Sequence, residues 1–156
     1  MIYREVKGTS IPALGFGTYR MSGDECAGAV RHALEIGYRH IDTAQAYDNE
    51  EEVARGIRES GVPRGDIFLT TKVWWQNWDY EEALDSAHQS LERLGTDYVD
   101  LLLIHWPHPE EPIDEPLDAL NRTRVEGTAK SIGVSNFTPA LLAKAVDKAP
   151  LICNQV

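Results

Sequence analysis

Two periods take turns along this chain, and that exchange limits its folds more than any single motif. Short runs rich in Val, Ile, Leu and aromatic residues alternate with longer runs whose apolar residues return every three or four positions. The first kind is found at 13–18, 38–43, 67–73, 98–106, 129–135 and 152–156. Between them lie a helix capped by Asp24, with Ala27, Val30, Ala33 and Leu34 on one face and Gly37 at its end, and helices predicted over 48–58, 80–94, 115–124 and 139–147. Residues 3–6 and the Gly-Thr-Ser that follows read as a short N-terminal strand and turn. Strands separated by helices need right-handed crossovers, which give a parallel sheet covered on both faces. A doubly wound sheet and a barrel both satisfy that rule. No G-x-G-x-x-G follows the first strand, whereas polar residues recur at the ends of several strands, where barrels build their sites. The fold expected is an α/β, incomplete TIM (β/α)8 barrel with six of eight strands, forming one domain over residues 1–156. A complete barrel takes about 250 residues, so the alternation is expected to be truncated at the C-terminus by two strands.

Composition sets the class. With 42% hydrophobic residues the chain has material for one core, and 15 basic against 25 acidic residues give a net charge of −10, which repels nucleic acid and anionic membrane. A soluble acidic surface accounts for this charge more simply than adaptation to high salt. Cys26 and Cys153 have neither a C-x-x-C spacing nor a disulfide framework, the N-terminus lacks a signal-peptide pattern, and no apolar run approaches membrane-spanning length. A cytoplasmic location is expected.

Asp42, Tyr47, Lys72 and His105 sit at or just past the C-terminal ends of three predicted strands, which in a barrel share one mouth. A free phenol, with a pKa of about 10, is a poor proton donor near neutrality. A Lys ammonium about 4 Å away would stabilise the phenolate by about 4 kcal/mol at an effective dielectric near 20, lowering that pKa by roughly three units before desolvation. Tyr47 would then serve as a general acid, Asp42 would keep Lys72 charged and aimed, and His105 would donate a hydrogen bond to a carbonyl oxygen. Each residue also has a plainer reading: Asp42 with Thr43 as a helix cap, Tyr47 as packing, Lys72 as a snorkelling surface charge, and His105 satisfied at the barrel rim. No Gly-x-Ser-x-Gly is present, and Cys153 has no nucleophile context. Asp42, His105 and His108 make a thin metal-ligand set without an H-x-H after the first strand, so no metal is expected.

The segments GFGTYRM (15–21), HIDTAQAYDNE (40–50), TTKVW (70–74), LLLIHWP (101–107), IGVSNF (132–137) and NQV (154–156) together resemble the aldo-keto reductases. The chain is most similar to small prokaryotic members that reduce aldehydes, ketones and keto-sugars such as diketogulonate. The resemblance implies that Tyr47 is the proton donor, Lys72 lowers its pKa, Asp42 completes the relay and His105 positions the carbonyl. It further implies that NADPH is the cofactor, with Gly17, Thr18, Tyr19 and Asp42 near its nicotinamide half and Ser135, Asn136 and Gln155 around its carboxamide. Trp74 and Trp106 fall where the family lines its pocket for a small carbonyl substrate. Without that resemblance, Trp74, Trp75 and Trp78 read as rim packing and Ser135-Asn136 as a helix cap. The family's stacking aromatic and its phosphate-gripping loops lie beyond the position of Val156, so weak or absent turnover is implied for this chain. Two other readings stay open: a barrel fragment that self-associates through open strand edges, and a cofactor-binding module without turnover.

Overall fold

The computed structural model describes residues 1–110 and 112–156. It opens with an antiparallel hairpin, β1 (Tyr3–Val6) and β2 (Thr9–Pro12). A second strand therefore stands where the sequence suggested only a turn. The turn itself is Lys7-Gly8, both with positive φ (48° and 84°), the handedness that matches the twist of a two-residue hairpin.

The alternation then proceeds as expected, through β3 (Phe16–Gly17), α1 (Gly23–Glu35), β4 (His40–Asp42), α2 (Glu50–Ser60), β5 (Phe68–Val73), α3 (Tyr80–Leu94), β6 (Val99–Ile104), α4 (Asp114–Glu126), β7 (Ala129–Ser135), α5 (Pro139–Lys148) and β8 (Asn154–Gln155). Strands β3 to β8 form one six-stranded sheet in sequence order, and every adjacent pair is parallel. The result is a curled half-barrel. Its two edge strands have only two residues each, far shorter than the sequence runs suggested, and short edges offer little template for pairing.

Two caps differ from expectation. Ser22, not Asp24, takes the N-cap position of α1, and Asp24 enters the first turn, where it accepts from Arg55 at 2.7 Å. The cap of α5 is Thr138, whose hydroxyl accepts from the Leu141 N–H, so Ser135 and Asn136 are left for another role.

Every residue of β5 and β6 is buried, as a parallel strand covered on both faces requires. Outward-pointing Ile41, Leu69, Leu102, Ile104, Ile132 and Val134 pack under the helices with Val30, Leu34, Leu117 and Leu120. A smaller inner cluster, Phe68, Leu101 and Leu103, fills the barrel interior against Ile11 of the hairpin. The hairpin is pinned there by a Thr9–Ser131 hydroxyl pair at 2.9 Å and by Lys7 Nζ donating to the Leu151 carbonyl at 2.8 Å. Helices α1 and α2 cross so closely that a Cβ on Gly56 would lie 2.5 Å from the Ala27 carbonyl oxygen, which restricts that position to glycine.

Candidate active site

Strand alternation decides which side chains meet. Successive residues point to opposite faces, so with Leu101 and Leu103 inside, His105 continues the inward row of β6; with Phe68 inside, Lys72 continues that of β5. Asp42 ends β4 opposite Thr70 and beside Gly17 of β3. Ser135 and Gln155 pair at the ends of β7 and β8. Predicted positions from six strands thus reach one mouth.

Lys72 is 1% exposed, and its ammonium donates to Asp42 Oδ1 at 2.5 Å and to the Thr43 carbonyl at 2.8 Å. Asp42 uses its other oxygen to accept from Gln155 Nε2 at 2.8 Å, a bond that spans the barrel from β8 to β4. Ser135 Oγ donates to the Gln155 carbonyl at 2.8 Å. Asn136, held at φ 61°, donates from Nδ2 to the His105 carbonyl and to Ser135 Oγ, both at 3.0 Å. Thr18 is wholly buried, with its N–H and hydroxyl both directed at the Asp42 carbonyl, so its contribution is to hold the β3–β4 mouth in place. Gly17 has open space where a Cβ would project.

Tyr47 ends a short 3-10 turn, Gln45–Tyr47, that follows β4. Its ring packs tilted against Tyr19 at 5.1 Å and edge-on to His105 at 5.5 Å between centroids, and Lys72 Nζ lies 5.2 Å from its ring centroid. The expected lowering of the phenol pKa is not found. Burial, then the charges of Asp42 and Tyr19, hold Tyr47 above the ordinary tyrosine value. The lysine is close but committed: Asp42 neutralises it at hydrogen-bond range, and burial lowers its own pKa.

Trp74 stands 5.3 Å from the His105 ring and shares the site, whereas Trp106 is 47% exposed at the rim. His105 is 8% exposed, and its Nδ1 has no hydrogen-bond partner among the described residues. Burial first, then the Lys72 charge, push its pKa down to about 4, so the imidazole is neutral at physiological pH. An unfolded histidine takes its proton near 6.5, so between 6.5 and about 4 the unfolded state binds more protons. The contribution of His105 is therefore complete above pH 6.5 and is lost as pH falls toward 4; discounted for solvent screening, the loss is about 2 kcal/mol. Urea titrations at both ends of that window are expected to show His105→Gln losing less stability on acidification than the unsubstituted chain. Equal losses would contradict this.

Several residues that hold the site are given no role by the sequence alone, although Gln45, Asn49 and Glu50 lie in the 40–50 segment that carries the family resemblance. Asn49 accepts from Thr43 Oγ1 and donates to the Thr18 and Met21 carbonyls, each at 2.9 Å, joining the loops after β3 and β4. Buried Glu50 accepts from Thr71 Oγ1 at 2.5 Å and from Arg93, which ties α2 and α3 to the back of β5 beside Lys72. Gln45 binds the loop after β5 and helix α3. Polar residues of this kind break no periodicity, so the 40–50 motif itself was the signal that could have found them.

The profile of the aldo/keto reductase family matches residues 13–156. The chain is 49% identical over 139 residues to methylglyoxal reductase DkgB of Escherichia coli O157:H7, covering 88% of this chain and 52% of that protein. It is 50% identical over 130 residues to the 9,11-endoperoxide prostaglandin H2 reductase of Trypanosoma cruzi, covering 83% and 46%. Among solved structures, an aldo/keto reductase from Brucella melitensis superposes with a TM-score of 0.94 at 46% identity, covering 98% of this chain and 61% of the other. A Bombyx mori aldo-keto reductase in complex with NADP gives 0.87 at 34%, covering 98% and 57%. The chain spans about half the length of the curated relatives it matches.

Proposed function

The chain belongs to the aldo/keto reductase family, and from that premise we propose that it serves in the NADPH-dependent reduction of aldehyde and ketone carbonyls to alcohols. The observation that carries this reading is the convergence of a protonated phenol, a neutral buried imidazole and a buried Lys–Asp pair on one barrel mouth.

The residues present suit the nicotinamide end of such a cofactor. Gly17 leaves room for close approach, and Ser135, Asn136 and Gln155 offer hydroxyl and amide groups that would hold a carboxamide. Tyr19, 62% exposed, would shape the adjoining wall, with buried Thr18 holding the strand end behind it. A bound NADPH would supply a hydride to the carbonyl carbon. The chain's own work is on the oxygen. His105, neutral near pH 7, offers an N–H that polarises the carbonyl, and Tyr47 delivers its proton to that oxygen as negative charge develops there. The Lys72 ammonium lies 5.2 Å from the Tyr47 ring centroid, and because Asp42 balances it the phenol keeps its proton until the carbonyl oxygen takes it. Trp74 shields one side from water, and Trp106 adds apolar surface at the rim.

The relatives named for methylglyoxal point to small aldehydes as substrates. Two free cysteines suit a reducing cytoplasm. The test is to mix the chain with NADPH and follow tryptophan fluorescence, then to add methylglyoxal and follow loss of the reduced nicotinamide absorbance. Quenching followed by slow turnover is the expected result. Quenching with no turnover would favour the binding-module reading, and neither would remove both.

A further inference from the structure

Gln45 opens the turn that ends in Tyr47, and its side-chain amide is fully used. A glutamine amide has two N–H donors and two acceptor lone pairs. Nε2 donates to the Ser86 carbonyl at 2.8 Å and to Ser90 Oγ at 2.9 Å, both on α3. Oε1 accepts from the Trp74 backbone N–H at 3.0 Å and from Asn77 Nδ2 at 3.4 Å, both in the loop after β5. One side chain therefore ties the turn after β4 to the loop after β5, and ties both to α3. Those two segments carry the aromatic rings that flank His105, namely Tyr47 at 5.5 Å and Trp74 at 5.3 Å.

We infer that Gln45 is a positioning residue that sets the separation of Tyr47 and Trp74 across His105, and with it the width of the pocket that admits the carbonyl. This rests on the reading that Tyr47 and His105 act on a carbonyl oxygen. Among the described residues, no other side-chain hydrogen bond joins the two segments that carry these rings. The Tyr47 turn is closed by backbone bonds within itself, Tyr47 N–H to the Ala44 carbonyl and Asp48 N–H to the Gln45 carbonyl, and these fix its shape but not its distance from the β5 loop. Thr43, whose N–H donates to the Thr70 carbonyl and whose carbonyl accepts from Lys72, fixes the strand ends below, and at the level of the turn the bridge to the β5 loop is Gln45 Oε1.

The test compares the unsubstituted chain with Gln45→Met, which keeps the length of the side chain and removes all four bonds. The readouts are thermal melting, the His105 titration followed by NMR, and steady-state kinetics with methylglyoxal. With Trp74 released, His105 gains water, and its midpoint is expected to rise from about 4 by at least a unit toward the ordinary imidazole value. kcat is expected to fall about 10-fold to 100-fold through misplacement, with tryptophan quenching by NADPH preserved. A folded Gln45→Met with an unchanged His105 midpoint and unchanged kcat overturns the inference, because a contact that only stabilises the fold would lower the melting temperature alone. Should Gln45→Met not fold, hydrogen exchange in the unsubstituted chain decides: slow exchange at the Trp74 amide supports the clamp, and free exchange overturns it. A shifted His105 midpoint in a system where even the unsubstituted chain shows no turnover would leave the clamp standing and count against the carbonyl-reductase reading instead.

Discussion

Tyr47→Phe is expected to lower carbonyl reduction by about 100-fold to 10,000-fold, the range spanned by the loss of a positioned general acid, while leaving NADPH-induced tryptophan quenching intact. The substitution removes one oxygen and keeps the ring, so the packing against Tyr19 and His105 survives. The proton is all that is lost. A Phe variant with undiminished turnover would assign the donor role elsewhere, and a variant that no longer binds cofactor would show the hydroxyl to be a binding group.

The pH dependence follows from the electrostatics of the site. Burial and the Asp42 charge hold the phenol above its ordinary value, so Tyr47 carries its proton throughout the neutral range. Reduction is therefore expected to stay level through pH 8 to 9 and to fall only as the phenol ionises, above about 10. Ultraviolet difference titration of the unsubstituted chain against Tyr47→Phe isolates that ionisation without any need for turnover. A midpoint near neutrality would restore the picture in which Lys72 acidifies the phenol. At the acid end, activity is expected to decline toward pH 4 as His105 becomes charged and exchanges its neutral hydrogen-bonding form for an imidazolium.

The largest effect on stability is expected from Asp42→Leu. Lys72 is 1% exposed, and without Asp42 its ammonium keeps, among the described residues, only its bond to the Thr43 carbonyl. Removing one partner of a buried ion pair costs about 3–5 kcal/mol. For a domain of this size, each kcal/mol is worth about 2–4 °C, so melting should fall by roughly 10 °C. The cost is bounded because burial already lowers the Lys72 pKa, and in the variant the amine can shed its proton. Lys72→Met should be milder, below about 2 kcal/mol, since Asp42 is partly exposed and keeps its bond from Gln155. The double variant Asp42→Leu with Lys72→Met should recover most of the loss. If Asp42→Leu melts where the unsubstituted chain does, the pair is not what holds Lys72 in place.

Much of the site was legible because parallel barrel strands all end at one mouth. Once residues 67–73 and 98–106 read as parallel strands, Lys72 and His105 fell at their C-terminal ends, and the structure brings both to the barrel mouth on the inward face. The Asp42–Lys72 pair was expected and is present. The N-terminal hairpin was half hidden because Thr9, Ser10 and Pro12 have the composition of a turn, and Pro12 ends the strand that they form. The α1 cap was misplaced by two residues because Ser22 and Asp24 are equally good caps in isolation. Lys72 acts on Tyr47 less than expected for a similar reason. The sequence places Asp42 on Lys72, but residue identity gives neither the 2.5 Å at which that carboxylate balances the ammonium nor the burial that holds the phenol up.

What the amino-acid order determined by itself was local and periodic: the succession of strands and helices, and the group of polar side chains at the strand ends. These follow from backbone geometry, which repeats every two residues in a strand and every 3.6 in a helix. Tertiary structure alone decided which further groups join the expected Asp42–Lys72 pair. Gln155 reaches across to the same carboxylate, and Gln45 binds Trp74, across separations of 113 and 29 positions. Hydrogen bonds and charges act within a few ångströms through space, and the barrel's curvature, not the order of its residues, sets those distances.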